Sequence, residues 1–401
     1  MRSVLKSERH GGHGESFLGL RPTAALRPPP SNFESRPTSS RQEGRKRLAN
    51  KSRLRKIVKW ILGILIVLLV GFLYGFVPWF LTGLATTNRF HFRDPNDSKT
   101  PKDFGMDFRA VEFRSSDNVL LKGWYIPASV PSGEARGTLI YCHGLNRTRV
   151  EMLPEAQFGH SLGYNGLLFD LRHQGQSGGR VSSVGYWERL DAEAAVRYAL
   201  ADEKAQRPII LWGVSMGAAA ALMAAAESPD VAAVISDSAF PNFKEVIRHH
   251  YFLFRQFARR RWWWFPPLPG FPLVDEVTWW IAWRAHFKPG EFDLEKAVKA
   301  INPRPILFVA LEGDRRMPPA YARALYADAT SPERQVVVLP GERHGEGFNL
   351  DRQQYEQAAT HFLVRVGSSS AAKKTPTTAR PPGASQPDRA PDETPQAQQR
   401  S

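Results

Sequence analysis

A single cysteine, Cys142, stands among 401 residues, which excludes an intramolecular disulfide in whichever compartment the chain folds. The central part has almost no net charge: residues 60–366 carry 34 Lys/Arg against 32 Asp/Glu. The formal +15 therefore lies elsewhere, mainly in residues 1–59, with 15 basic against 4 acidic residues; residues 367–401 carry 5 against 3. A near-neutral body speaks against a nucleic-acid partner, and a basic leader beside an apolar run fits an anionic membrane surface. There is no internal repeat of fixed period, which excludes a solenoid or propeller. With 42% hydrophobic residues, the chain is not disordered as a whole.

Residues 60–84, WILGILIVLLVGFLYGFVPWFLTGL, contain no charge at all. As a helix at about 1.5 Å per residue the run crosses a ~30 Å hydrocarbon layer with some tilt. It is too long for the apolar region of a signal peptide, which spans about 7–15 residues. Pro78 is expected to end or kink this helix, while Trp60, Tyr74 and Trp79 suit the membrane interfaces. Arg45, Lys46, Arg47, Lys51, Arg53, Arg55, Lys56 and Lys59 precede the run; Arg89, Arg93 and Lys99 follow it, partly offset by Asp94 and Asp97. That asymmetry predicts a single-pass protein with a cytoplasmic N-terminus and everything after residue 85 outside the cytoplasm.

The expected organisation is a disordered basic leader over 1–56, an anchor over 57–84 and a linker over 85–103. A folded domain over 104–366 and a disordered tail over 367–401 complete it. Within the domain, VEFRS and VLLKGWYI read as a hairpin. Short apolar runs follow (TLIYC, GLLFD, PIILW, AAVIS, PILFVA, QVVVL), alternating with segments of helical spacing such as WERLDAEAAVRYALADE and DRQQYEQAATHFLVRV. Such alternation predicts an α/β fold, a mostly parallel sheet with helices on both faces and ligands at the carboxyl ends of its strands.

Ser215 lies at one such end, in PIILWGVSMGAAAALMAAAE. Gly213 and Gly217 lack a Cβ that would collide in a tight strand-to-helix turn, so the hydroxyl stands at the sheet edge before a helix N-terminus. A serine hydroxyl needs a base, and the base an orienting acid. Asp314 and His344 both follow apolar strands in LEGDRRMPP and LPGERHGEG. Asp237, after AAVIS, is the competing acid; His361 falls within a helical segment, where a packed or surface role is expected. The backbone N–H groups of Leu145, in TLIYCHGLN, and of Met216 are candidates for holding an oxyanion. His143 is expected to fix its loop, and buried Cys142 to pack.

Read together, CHG at 142–144, FDLRHQGQSGG at 169–179, GVSMG at 213–217, EGD at 312–314 and RHG at 343–345 resemble the α/β-hydrolase superfamily. The chain looks most like its membrane-anchored α/β-hydrolase-domain and serine aminopeptidase-like members. The resemblance covers residues 104–366. It implies Ser215 as nucleophile, Asp314 as acid, His344 as base, an oxyanion hole from Leu145 and Met216, and no metal or cofactor. Asp314 is favoured over Asp237 because it sits one strand before the histidine, where the order serine, acid, histidine expects an acid. His173 departs from the pattern, standing where relatives carry the first glycine of D-x-R-G-x-G-x-S, and a different loop backbone is expected there.

Residues 241–300 hold six of the eleven tryptophans and read as a lid or cap insertion. Trp279, Trp283 and Phe287 fall on one helical face, packed onto the core or, with RRRWWWF at 259–265, set in the headgroup layer. The expected activity is hydrolysis of an apolar acyl ester or thioester through an acyl-enzyme. Peptide hydrolysis comes second, and a non-catalytic, membrane-associated lipid-binding protein is the reading from a different class. Oligomeric state is left open.

Overall fold

A computed structural model describes residues 39–87, 91–131, 133–201, 205–264 and 269–374. The chain forms two units, residues 1–66 and 67–401. In the first, helix α1 (Ser39–Gly71) begins, and every side chain over 41–66 is exposed. The helical run reaches Thr86 and contains a stretch long and apolar enough to cross a membrane. Pro78 does not end it. A π-helical turn over Phe72–Phe76 relaxes the ladder just before α2 (Val77–Thr86), and Pro78 sits in the first turn of α2, where a missing N–H costs little.

The expectation of disorder over 1–56 fails for residues 39–56, which are helical. They contain no proline and few helix breakers, and they propagate from an apolar segment that is helical itself. Residues 1–38 lie outside the described residues. At the other end α11 (Arg352–Lys374) runs past residue 366, and the rest of the expected tail, from 375, is likewise outside them. The segment over 85–103 is also more than a linker. Asp94 and Asn96 are buried, and the Phe92 N–H donates to the Asn146 carbonyl at 3.0 Å.

Eight strands follow: β1 (Arg109–Arg114), β2 (Leu120–Ile126), β3 (Thr138–Cys142), β4 (Asn165–Phe169), β5 (Ile209–Val214), β6 (Val231–Asp237), β7 (Ile306–Leu311) and β8 (Arg334–Leu339). They form one sheet in the order β1-β2-β4-β3-β5-β6-β7-β8. The hairpin β1–β2 and its junction with β4 are antiparallel; all other pairs are parallel. Helices between the strands are α3 (Leu153–Ser161), α4 (Glu188–Ala201), α5 (Met216–Glu227), α6 (Phe243–Arg261), α7 (Leu273–Arg284), α8 (Leu294–Ala300) and α9 (Pro319–Asp328); α10 (Gly347–Leu350) and α11 follow β8.

Burial follows position in the sheet. β3, β4, β5 and β7 are buried at every residue, as continuous apolar runs between two helical layers must be. Of the edge strands, β1 alternates, while β8 is only half-buried except at Leu339. One apolar core lies under α4, α5, α8 and α9; the other lies under α3 and α11.

Between β6 and β7 the chain inserts α6, α7 and α8. α7 ends at Arg284, and His286 takes a left-handed backbone, φ +57°. The break separates residues that periodicity places on one face. Phe287 turns inward onto Tyr186 and Phe243, whereas Trp279 and Trp283 stay more than half exposed and stack on each other.

Candidate active site

The turn from β5 to α5 places Ser215 in a left-handed backbone, φ +54° and ψ −113°, a conformation that costs an L-residue about 1–3 kcal/mol. Its neighbours make the turn possible. A Cβ on Gly213 would lie 2.4 Å from the Gly217 carbonyl, and one on Gly217 would lie 2.1 Å from the Cys142 carbonyl oxygen. β5, α5 and the end of β3 therefore meet with no space for a methyl group. The Ser215 N–H donates to the Asp237 carbonyl at 2.8 Å, fixing the turn to the end of β6.

Three side chains distant in sequence meet at this turn. His344 Nε2 lies 2.9 Å from Ser215 Oγ, and His344 Nδ1 lies 2.7 Å from Asp314 Oδ2. Asp314 is buried at the end of β7, and its other oxygen accepts the backbone N–H groups of Arg316 (2.8 Å) and Met317 (3.0 Å). Burial alone pushes this carboxyl up, but the His344 hydrogen bond and charge and the two backbone donors outweigh it, so it is held below the usual carboxylate range. With both its oxygens accepting, the acid holds the ring by Nδ1 and leaves Nε2 facing the hydroxyl.

Asp237 is elsewhere. Its carboxylate accepts from Ser238 Oγ (2.7 Å) and Tyr355 Oη (3.0 Å), and burial pushes it up to about 6. It carries the turn through its backbone oxygen, with no hydrogen bond to His344. His361 is exposed on α11.

The Leu145 and Met216 N–H groups have no protein acceptor among the described residues, and both residues line one cavity with Ser215. The loop carrying Leu145 is firmly held. His143 is fully buried, bonded through Nδ1 to the Gly144 carbonyl (2.8 Å) and accepting the Leu171 N–H at Nε2 (3.0 Å). Burial lowers its pKa, keeping it a neutral strut. Cys142 is buried and its thiol is pushed up strongly, so it packs.

Glu151 escaped the sequence reading, which has no pattern for an acid four residues past Arg147. It accepts the Gly144 N–H at 2.6 Å directly beneath the loop, and burial pushes it up to about 7, partly offset by that bond and by Arg147. Arg147 in turn donates to the Phe92 and Arg93 carbonyls (3.2 and 3.1 Å), tying residues 91–104 to the same loop.

No residue of the 169–179 motif is in the lining of the cavity at Ser215. Arg172 is buried between Asp191 (2.7 Å) and Asp117 (2.7 Å), and Asp170 accepts the Arg149 and Gln176 N–H groups. His173 takes a left-handed backbone, φ +60°, a conformation that glycine adopts more readily than histidine.

The cavity at Ser215 has a volume of about 260 Å³ and a nearly all-apolar lining drawn from α2, α6 and α7. A larger depression of about 580 Å³, around Arg207, Asp230 and Arg304, includes none of these three side chains. Among the described residues no group of three or more His, Cys, Asp or Glu is placed to hold a metal ion.

The chain can be set beside known proteins on this geometry. An uncharacterized Mycobacterium tuberculosis protein, Rv2307c, is 30% identical over 260 residues, 64% of this chain and 80% of its own. An uncharacterized Bacillus subtilis protein, YqkD, is 28% identical over 254 residues, 62% of this chain and 77% of its own. Among solved structures, an esterase of Pyrococcus furiosus superposes with a TM-score of 0.55 at 23% identity, covering 70% of this chain and 98% of that one, a likeness of fold. The profile of the alpha/beta hydrolase family matches residues 139–358, a span from β3 into α11 that holds Ser215, Asp314 and His344. The chain is a member of the alpha/beta hydrolase family.

Proposed function

We propose that the chain is a membrane-anchored serine hydrolase that cleaves an apolar acyl ester or thioester through an acyl-enzyme. One observation carries the reading: the continuous hydrogen-bond path from Asp314 through His344 to Ser215, at 2.7 and 2.9 Å, opening on an apolar cavity. His344 Nε2 takes the hydroxyl proton as Ser215 Oγ bonds to the substrate carbonyl carbon. The carbonyl oxygen becomes an oxyanion, held by the Leu145 and Met216 N–H groups, each worth about 2.7–4 kcal/mol in the transition state. Collapse expels the alcohol or thiol, which takes the proton from His344. Water then attacks the acyl-enzyme by the same proton path, releasing the acid and restoring Ser215.

In this reading residues 104–366 are the hydrolase domain, 241–300 its cap and 57–84 the anchor, with the N-terminus cytoplasmic and the domain outside. Peptide hydrolysis from an amino terminus finds less support, since no carboxylate lines the cavity among the described residues to pair with the amine. The test is a fluorophosphonate probe on the full chain, with p-nitrophenyl esters of graded length assayed in parallel. Labelling and turnover that vanish in Ser215→Ala are expected. A folded protein that Ser215→Ala leaves equally labelled, or that is never labelled, refutes the proposal.

A further inference from the structure

The last charge before the apolar run is Lys59, and residues 60–79 make 20 helical residues, about 30 Å at 1.5 Å each, the thickness of the hydrocarbon layer. A bilayer crossed by this helix therefore ends near residues 77–81. Val77, Leu81 and Ala85, spaced i, i+4 and i+8 on one face of α2, line the cavity that holds Ser215. Trp79, on the opposite side, and Phe80, beside that face, are exposed. The same two turns of helix both finish the membrane crossing and wall the site. Most of the remaining wall comes from α6 and α7, and Phe254 lines the cavity while also reaching the surface.

The surface beside that wall fits a bilayer. α7, which packs on α2, exposes the stacked Trp279–Trp283 pair, ring centroids 6.0 Å apart. The end of α6 exposes Phe257 and Arg259–Arg261, followed by Trp263, 90% exposed. Aromatic rings mixed with arginines suit the headgroup boundary. Arg316 is the only permanently charged residue lining the cavity among those described; no hydrogen bond of its guanidinium is seen among those residues, and the charges of Asp314 and Glu151 act on it from nearby. His250, the other basic lining group, is lowered to about 4 by burial and is neutral at pH 7. A single arginine in the lining of an apolar cavity, with no hydrogen-bonded acid holding its guanidinium, is matched by an acyl chain that ends in an anion.

Resting on the reading of Ser215 as nucleophile, we propose that the substrate is an acyl ester of an anionic membrane lipid, whose chain slides sideways from the bilayer along α2 while its headgroup meets Arg316. The cavity, about 260 Å³, is at the small end of ligand sites and takes one acyl chain at a time.

The test uses the full chain in phosphatidylcholine vesicles with or without phosphatidylglycerol. Fatty acid release from each lipid is measured beside hydrolysis of soluble palmitoyl-CoA and of p-nitrophenyl acetate. The wild type is expected to release fatty acid from phosphatidylglycerol about tenfold faster than from phosphatidylcholine, and Arg316→Gln to erase that preference. Leu81→Trp, which fills the cavity from α2, is expected to lower phosphatidylglycerol cleavage about tenfold more than acetate cleavage. Equal rates on the two lipids, palmitoyl-CoA preferred over both, or equal losses on lipid and acetate in Leu81→Trp would each overturn the proposal while acetate turnover leaves the nucleophile standing. No acetate turnover and no fluorophosphonate labelling sinks both readings together.

Discussion

Replacing Asp314 by Asn turns one acceptor atom into a donor and leaves the side chain's shape almost unchanged. Two backbone N–H groups, of Arg316 and Met317, hold one carboxylate oxygen, so the amide keeps its oxygen there and turns its NH₂ toward His344. His344 Nδ1, now 2.7 Å from a donor, must accept, and the ring proton moves to Nε2, 2.9 Å from Ser215 Oγ. A ring protonated on that nitrogen cannot take the serine proton. The wrong tautomer is expected to cost a factor of about 10⁴ in kcat, about 5.5 kcal/mol at 1.36 kcal/mol per decade. Folding changes in a pH-dependent way. A carboxyl whose folded pKa is lowered contributes stability above its unfolded value near ~3.9 and loses it as pH falls through the folded value. Asp314→Asn should thus melt below the wild type at pH 7, with the gap closing under acid conditions. Ester turnover, fluorophosphonate labelling rate and thermal melting in detergent read the three effects. Asp237→Asn serves as the contrast, since Ser238 and Tyr355 occupy its carboxylate. A kcat for Asp314→Asn above about a tenth of wild type, with Asp237→Asn down by about 10³, would refute the assignment of the acid.

Gly217→Ala puts a methyl group 2.1 Å from the Cys142 carbonyl oxygen and 2.6 Å from that of His143, both backbone atoms, so the strand end must move. Denaturant midpoints should show a loss of about 1–3 kcal/mol, and turnover should fall about 10²–10³-fold as the Leu145 N–H is displaced. Glu151 is raised to about 7, so the folded state binds more protons than the unfolded one between pH ~4.5 and ~7, and stability falls as pH rises through that window. Glu151→Gln keeps an acceptor for Gly144 and removes the penalty; unfolding at pH 5 and pH 8 should show a gain only at the higher pH, of at most about 3 kcal/mol. Asp191→Ala leaves Arg172 buried with only half-exposed Asp117 as its acid, and unfolding free energy should drop by about 3–5 kcal/mol.

The sheet was legible because buried parallel strands leave uninterrupted apolar runs, and each of the six runs singled out by composition is a strand. The position of Ser215 was legible for a steric reason, since only glycines fit at 213 and 217. The partners of the serine could be narrowed but not separated by chain order alone: Asp237 and Asp314 both end strands, and what distinguishes them is the His344 bond to Asp314, with Ser238 and Tyr355 on Asp237 instead. Glu151 left no signal, because its burial depends on the fold of the 143–152 loop. Periodicity misplaced Phe287, as helical spacing carries no warning that α7 stops at Arg284. The length of helix before residue 57 was missed because charge and polarity were taken as marks of disorder, whereas Lys, Arg, Ala and Leu also propagate a helix once it is nucleated.

The contribution of α2 to the cavity bears on how such an enzyme can be handled. Trimming the first 86 residues to gain solubility would remove Val77, Leu81 and Ala85 along with the apolar helix. What was left would be a vessel with one side missing, its floor still bearing Ser215. Sluggishness toward long chains in such a fragment would then reflect the excision rather than the protein's own selectivity.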